Sequence, residues 1–151
     1  MHSFLSLNGN IWKDPRPGIF VEDAHGSIPL HAVFPPKSEC LLVSLEGTEM
    51  VDEDAVFDVF FRRLHFPQYF GWNWDAMRDC LGDLSWIGQE RILIAINDWD
   101  HVMSKQPEKF GLLVKLLATT VHRHFAPFPI REDSKPWMRI VAWPAGSPIR
   151  P

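Results

Sequence analysis

The chain has 151 residues, 46% hydrophobic and 23% charged, with a formal net charge of −4. That length suits one domain, long enough to bury about 68–70% of the surface its unfolded chain exposes. The charge balance and the lack of a dense Lys/Arg run disfavour direct binding to nucleic acid, whose affinity comes largely from neutralised phosphates. No stretch of about 18 apolar residues is present to predict a membrane span. The opening residues lack a charged-then-apolar secretion signal.

Residues 1–37 are punctuated by Gly9, Pro15, Pro17, Gly18, Gly26, Pro29, Pro35 and Pro36. Phe4-Leu5-Ser6-Leu7 and Ile19-Phe20-Val21 read as short strands. Asn8-Gly9 is a favoured hairpin turn, and His25-Gly26, before Ile28-Pro29-Leu30, is a second turn candidate. The expectation is a short N-terminal β appendage over 1–37, closed by a stiff Pro35-Pro36 linker. A main domain is expected over 38–151.

Cys40-Leu41-Leu42-Val43-Ser44-Leu45 is nearly continuously apolar, the pattern of a strand covered on both faces. Asp52 and Asp54 are candidate caps for a helix whose apolar face is Val56, Val59, Phe60 and Leu64. Arg91-Ile92-Leu93-Ile94-Ala95-Ile96 is a second buried strand. Phe110, Leu113, Val114, Leu117 and Val121 mark a long amphipathic helix, and Pro127 and Pro129 break the chain. Trp137-Met138-Arg139-Ile140-Val141-Ala142-Trp143 is a third strand. The order of elements predicts an α/β fold: a small parallel sheet of about three strands flanked by helices.

The densest signal lies at 66–81, Phe-Pro-Gln-Tyr-Phe-Gly-Trp-Asn-Trp-Asp-Ala-Met-Arg-Asp-Cys-Leu. Pro67 and Gly71 mark a loop, with φ > 0 expected at Gly71. Asn73 is a helix N-cap candidate, and the helix is expected to end near Gly82. Asp75 and Asp79 then share one helix face at i, i+4, a like-charge spacing that costs about 0.2–0.5 kcal/mol. Asp75 gains some of this back from the positive end of the helix dipole. The cost points to a use for the face. Trp72 is expected to be an exposed aromatic contact, while Trp74 fits either that role or inward packing. Trp99, between Asp98 and Asp100, either borders this surface or closes the core.

This run resembles the central motif of the barstar-like family, intracellular protein inhibitors of the ribonuclease barnase; the likeness extends more loosely from about Cys40 to Trp143. The resemblance implies the same small parallel sheet. It also implies a non-enzymatic inhibitor, an immunity protein that neutralises a toxin nuclease by placing an acidic loop and helix in its active-site cleft. The partner is then a ribonuclease, barnase-like or another toxin, bound by a monomer as a heterodimer, with no cofactor, no direct nucleic-acid contact and no membrane. Carried over by position, Asp79 is the main phosphate-mimicking aspartate, Asp75 the second, and Tyr69 an aromatic contact. Phe70, Gly71 and Asn73 shape or line the loop. Arg78 stands where the best-known member has tryptophan, and the family's third-helix glutamate falls near Thr119. Both departures point to a nuclease other than barnase.

Two other classes stay open on the sequence. One is an adaptor of the same fold that binds a protein without inhibiting a nuclease. The other is a metal-dependent hydrolase using Asp75, Asp79, His122 and His124; on a helix His122 and His124 point about 200° apart, a poor ligand pair. No Gly-x-Ser-x-Gly, His-Glu-x-x-His or Walker pattern occurs. Cys40 and Cys80 form no disulfide framework and are expected to be reduced, buried thiols of a cytoplasmic protein.

Overall fold

The computed structural model describes residues 4–6, 11, 18–21, 40–89, 91–125 and 137–144. The five strands are β1 (Phe4–Ser6), β2 (Ile19–Val21), β3 (Cys40–Glu46), β4 (Arg91–Asn97) and β5 (Trp137–Ala142). They form one sheet in the order β1-β2-β5-β4-β3, and every neighbouring pair is parallel. Of three α-helices, α1 (Glu53–Arg63) and α2 (Trp74–Asp83) lie between β3 and β4, and α3 (Phe110–Phe125) lies between β4 and β5, making the crossovers that these two parallel pairings demand. Short 3-10 turns at Gly47–Glu49, Trp99–His101 and Pro107–Lys109 join them.

The parallel α/β class is as expected, but the sheet has five strands rather than about three. The two short N-terminal strands complete it: β2 pairs with β5 in the register Ile19↔Ile140, and β1 adds Phe4↔Ile19. Asn8-Gly9, His25-Gly26, Ile28-Pro29-Leu30, Pro35-Pro36, Pro127 and Pro129 lie outside the described residues.

A second correction concerns β3. Its apolar run suggests burial on both faces, yet Val43 and Leu45 are buried while Leu42 is 41% exposed. The reason is its place at the sheet edge, where one face is covered and side chains alternate. In β4, the interior neighbour of β3, residues 92 to 97 are all buried. Successive β4 side chains feed opposite layers. Ile92, Ile94 and Ile96 join Val56, Phe60, Met77, Leu81, Leu113 and Leu117 in the main core. Leu93 and Ala95 join Ile11, Phe20, Val141 and Trp143 on the other face. Each fully buried Leu, Ile or Phe side chain contributes about 1.5–3 kcal/mol by leaving water.

Helix starts follow local chemistry. Asp52, not Asp54, caps α1: its Oδ1 accepts from the Ala55 N–H at 2.9 Å. Such a cap contributes about 0.5–2 kcal/mol. Cys40 and Cys80 are both free thiols, Cys80 buried and Cys40 half-buried. Burial pushes both thiols up from their ordinary value, and the Asp79 and Asp83 carboxylates push Cys80 further. Among the described residues no helix is long and apolar enough to cross a membrane.

Candidate partner-binding face

After α1 the chain leaves the helix through His65 in a left-handed conformation (φ 54°) and returns along α1 to start α2. Two rings sink into the core and pin the loop. Phe66 and Phe70 pack edge-on with centroids 5.0 Å apart. Phe70 also meets Phe61 at 6.0 Å and Phe57 at 6.3 Å. The Phe70 N–H donates to the Pro67 carbonyl at 3.0 Å, closing a turn. Trp86, from the segment after α2, packs on Phe66 and donates its Nε1–H to the Leu64 carbonyl at 2.9 Å.

The residues beside these anchors, Gln68 and Tyr69 before Phe70 and Gly71 to Asn73 after it, point outward. Tyr69 is 75% exposed and Trp72 is 48% exposed, whereas Phe70 is only 4% exposed. Phe70 therefore shapes the loop from below and presents no surface of its own. Trp72 rests on Phe61 and Phe70, with centroids at 4.9 and 5.2 Å. The positive φ expected at Gly71 belongs instead to Trp72 (φ 54°). For a bulky residue that conformation costs about 1–2 kcal/mol. A Cβ built on Gly71 would stand 3.2 Å from Asn73 Nδ2, so the glycine gives the cap room rather than a left-handed turn.

Asn73 is the N-cap of α2. Its Oδ1 accepts from the Ala76 N–H at 2.8 Å, and its Nδ2 donates back to the Gly71 carbonyl at 3.0 Å. One side chain thus fixes both the loop exit and the helix entry. At the other end the helix runs past Gly82 to Asp83, and Leu84 takes the left-handed cap position (φ 50°) where glycine is usual. Gly82 is buried within the last turn, where an added Cβ would meet the Arg123 guanidinium from α3.

The cap sets the helix phase. Met77, Cys80 and Leu81 are buried against the core; Asp75, Arg78 and Asp79 are exposed on the opposite side. Arg78 bonds Asp75 through its Nη2, one turn back. The Asp75 side chain is 84% exposed, so this pair adds little stability. Asp79 has no ion-pair partner among the described residues. The face therefore offers one uncompensated carboxylate, one carboxylate bound to a guanidinium, and two exposed aromatic rings.

Trp74 takes the inward of its two expected roles, and it packs beside three residues that escape sequence reasoning: Glu53, Gln106 and Lys109. Trp74, the first residue of α2, is half-buried against Phe57 (5.0 Å) and donates its Nε1–H to Glu53 Oε2 at 2.6 Å. Lys109 donates to the same oxygen at 2.9 Å. Gln106 Oε1 accepts from the Glu53 backbone N–H at 2.7 Å. The bonds from Lys109 and Trp74 hold the Glu53 carboxyl below its ordinary value, and the Glu53 bond raises Lys109. A glutamate in the first turn of a helix and an indole N–H in need of an acceptor were the available signals. Nothing local pairs residues so far apart in the chain.

The other singled-out residues lie elsewhere. Thr119 is exposed on α3 and donates to the Lys115 carbonyl at 2.8 Å. His122 is exposed, while His124 is buried with Nε2 2.6 Å from the Leu81 carbonyl oxygen. Among the described residues no three His, Cys, Asp or Glu side chains converge as metal ligands. Trp99 is half-buried between Phe4 (5.9 Å) and Phe110 (5.1 Å), at the rim of an open cavity of about 350 Å³ that Met103 also lines.

Residues 40–137, close to two thirds of the chain, match the family described as Barstar (barnase inhibitor). The chain belongs to that family. No curated protein matches it.

Proposed function

We propose that this member of the barstar family inhibits a ribonuclease by covering its active-site cleft with the loop and first turns of α2. The observation that carries the reading is the exposed, uncompensated Asp79 on a capped helix, inside the segment that matches the family. A ribonuclease cleft is lined with cations that hold substrate phosphates. A fixed carboxylate presented there forms charge-assisted hydrogen bonds with the same groups and excludes RNA. No bond is made or broken, so the protein acts by occupancy, without a cofactor and without touching RNA itself.

Each surface residue has a part. Asp79 takes the central phosphate position and Asp75 a neighbouring one. Tyr69 and Trp72 supply aromatic contact area at the rim, the residue types favoured in such interfaces. Gly71 and Asn73 hold the loop against the helix, and Phe70 supports it from within. Arg78 directs the choice of partner. Its guanidinium beside Asp75 suits a nuclease with an acidic or carbonyl group at that point, and so a toxin other than barnase itself. Repulsive mismatches of this kind set specificity as much as attractions do. The biological role is immunity in the cytoplasm of the producing cell, through a one-to-one complex.

The test is a titration of the purified protein into purified barnase and other ribonucleases of its type, read by cleavage of a fluorogenic RNA. Stoichiometric loss of cleavage by at least one of them, restored by Asp79→Ala, supports the reading. Binding without loss of cleavage would shift the protein to the adaptor class.

A further inference from the structure

We propose that Glu53 is the positioning residue of the inhibitory face, acting through Trp74 to fix the first turn of α2 where a nuclease meets it; this rests on the inhibitor reading above. Asn73 fixes the helix's own first turn, but its bonds are local, to Gly71 and Ala76. They do not set how α2 sits against the rest of the molecule. The ring contact between Phe57 and Trp74 supplies area but little direction. Direction comes from the indole N–H, whose 2.6 Å bond to Glu53 Oε2 has the short length of a charge-assisted bond.

Glu53 is itself held from three sides. Lys109 Nζ lies 2.9 Å from the same oxygen, and the Glu53 N–H reaches Gln106 Oε1 at 2.7 Å. Asp52 next to it caps α1. One side chain therefore joins the start of α1, the start of α2 and the segment that leads into α3. Asp75 follows Trp74 directly, and Asp79 lies one turn further on the same rigid ten-residue helix. A tilt at Trp74 carries both carboxylates with it. Interfaces that rely on charge-assisted geometry need their groups held within about 0.5 Å, and a group already in place loses less entropy on binding.

The experiment compares wild type, Glu53→Gln, Trp74→Phe, the double variant and Asp79→Ala. Each is titrated against the purified barnase-type ribonucleases, with Tm and amide exchange of residues 74–77 measured in parallel. Trp74→Phe keeps a ring on Phe57 and removes only the N–H. Glu53→Gln keeps an acceptor and removes the charge. All titrations run well below every Tm, where a merely structural loss leaves the inhibition constant unmoved. The expected result is an inhibition constant weaker by about tenfold for each single variant. Faster exchange in the first turn of α2 is expected alongside, with a double variant no worse than the poorer single one. Unchanged inhibition by both single variants, or losses that simply multiply in the double variant, overturns the proposal. If Asp79→Ala loses inhibition while the Glu53 and Trp74 variants keep it, only the positioning role falls. If Asp79→Ala also inhibits fully, or wild type inhibits none of the ribonucleases, the inhibitor reading falls and the proposal with it.

Discussion

The segment from Phe66 to Leu81 has an inner and an outer side that obey different rules. Phe66, Phe70, Met77 and Leu81 are buried in the main core, whereas Tyr69, Trp72, Asp75, Arg78 and Asp79 stand in solvent. The inner residues are fixed by packing, which punishes any change of volume. The outer residues contribute little to folding, since a surface ion pair such as Arg78–Asp75 adds at most about 1 kcal/mol. Two costs remain on the outer side: like charges one turn apart, and Trp72 in a left-handed backbone. The inner side specifies the fold, and the outer side is free to specify a partner. Substitutions on the two sides should therefore separate stability from inhibition.

The largest effects should come from the centre of each side. Leu81→Ala, at a fully buried site, should cost about 2–5 kcal/mol of stability in urea denaturation. The fraction that stays folded should still inhibit. Asp79→Ala should do the reverse: affinity falls by about 2–5 kcal/mol, a range that barnase–barstar itself helps to define. Its stability should stay within about 0.5 kcal/mol of wild type. Calorimetry of the free protein beside inhibition titrations reads both, and a large stability loss in Asp79→Ala would show that the outer side also carries the fold.

Asn73 stands on the boundary between the sides. Asn73→Ala removes the bond to Ala76 and the bond to Gly71. It should cost about 1 kcal/mol of stability and weaken inhibition as well, by loosening the loop exit. Asn73→Asp, which keeps the cap acceptor, should restore the stability.

The smallest effect is expected in the pH dependence of stability. Glu53 has a folded pKa lowered from its ordinary 4.5 by its bonds to Lys109 and Trp74. A carboxyl shifted that way contributes stability that is full above its unfolded value and lost as pH falls through the folded one. Thermal unfolding from pH 6 down to pH 3 should therefore show a loss of Tm below about pH 4.5 that is smaller in Glu53→Gln. An identical acid profile in that variant would show that the Glu53 bonds carry none of it.

Much of the outer side was legible because its signals are local. The Asn73 cap, the aspartates at i, i+4 and the exposure of Trp72 all follow from spacing within one turn or one loop. The order of strands and helices from Cys40 to Ala142 was legible for the same reason, through the period of its apolar residues. What was hidden depends on contacts far apart in the chain. The apolar run of β3 resembles that of β4, and only the sheet order shows that Leu42 faces solvent at an edge. The parallel pairing of Ile19–Val21 with β5 joins segments more than a hundred residues apart. The Glu53–Trp74–Lys109 junction likewise joins three elements. At Gly71 and Gly82, local preference named a glycine, while the left-handed backbone falls on the bulkier Trp72 and Leu84 nearby.

The most direct test of inhibition through this face is a capture from the native cell. Tagged wild type and the Asp75→Ala/Asp79→Ala double variant are each used as bait, and RNA cleavage is assayed in the eluate before and after the bait is denatured and removed. The account predicts a ribonuclease held by wild type, silent until released, and absent from the variant's eluate. A ribonuclease held equally by the variant, or a wild-type eluate with no ribonuclease, would contradict it.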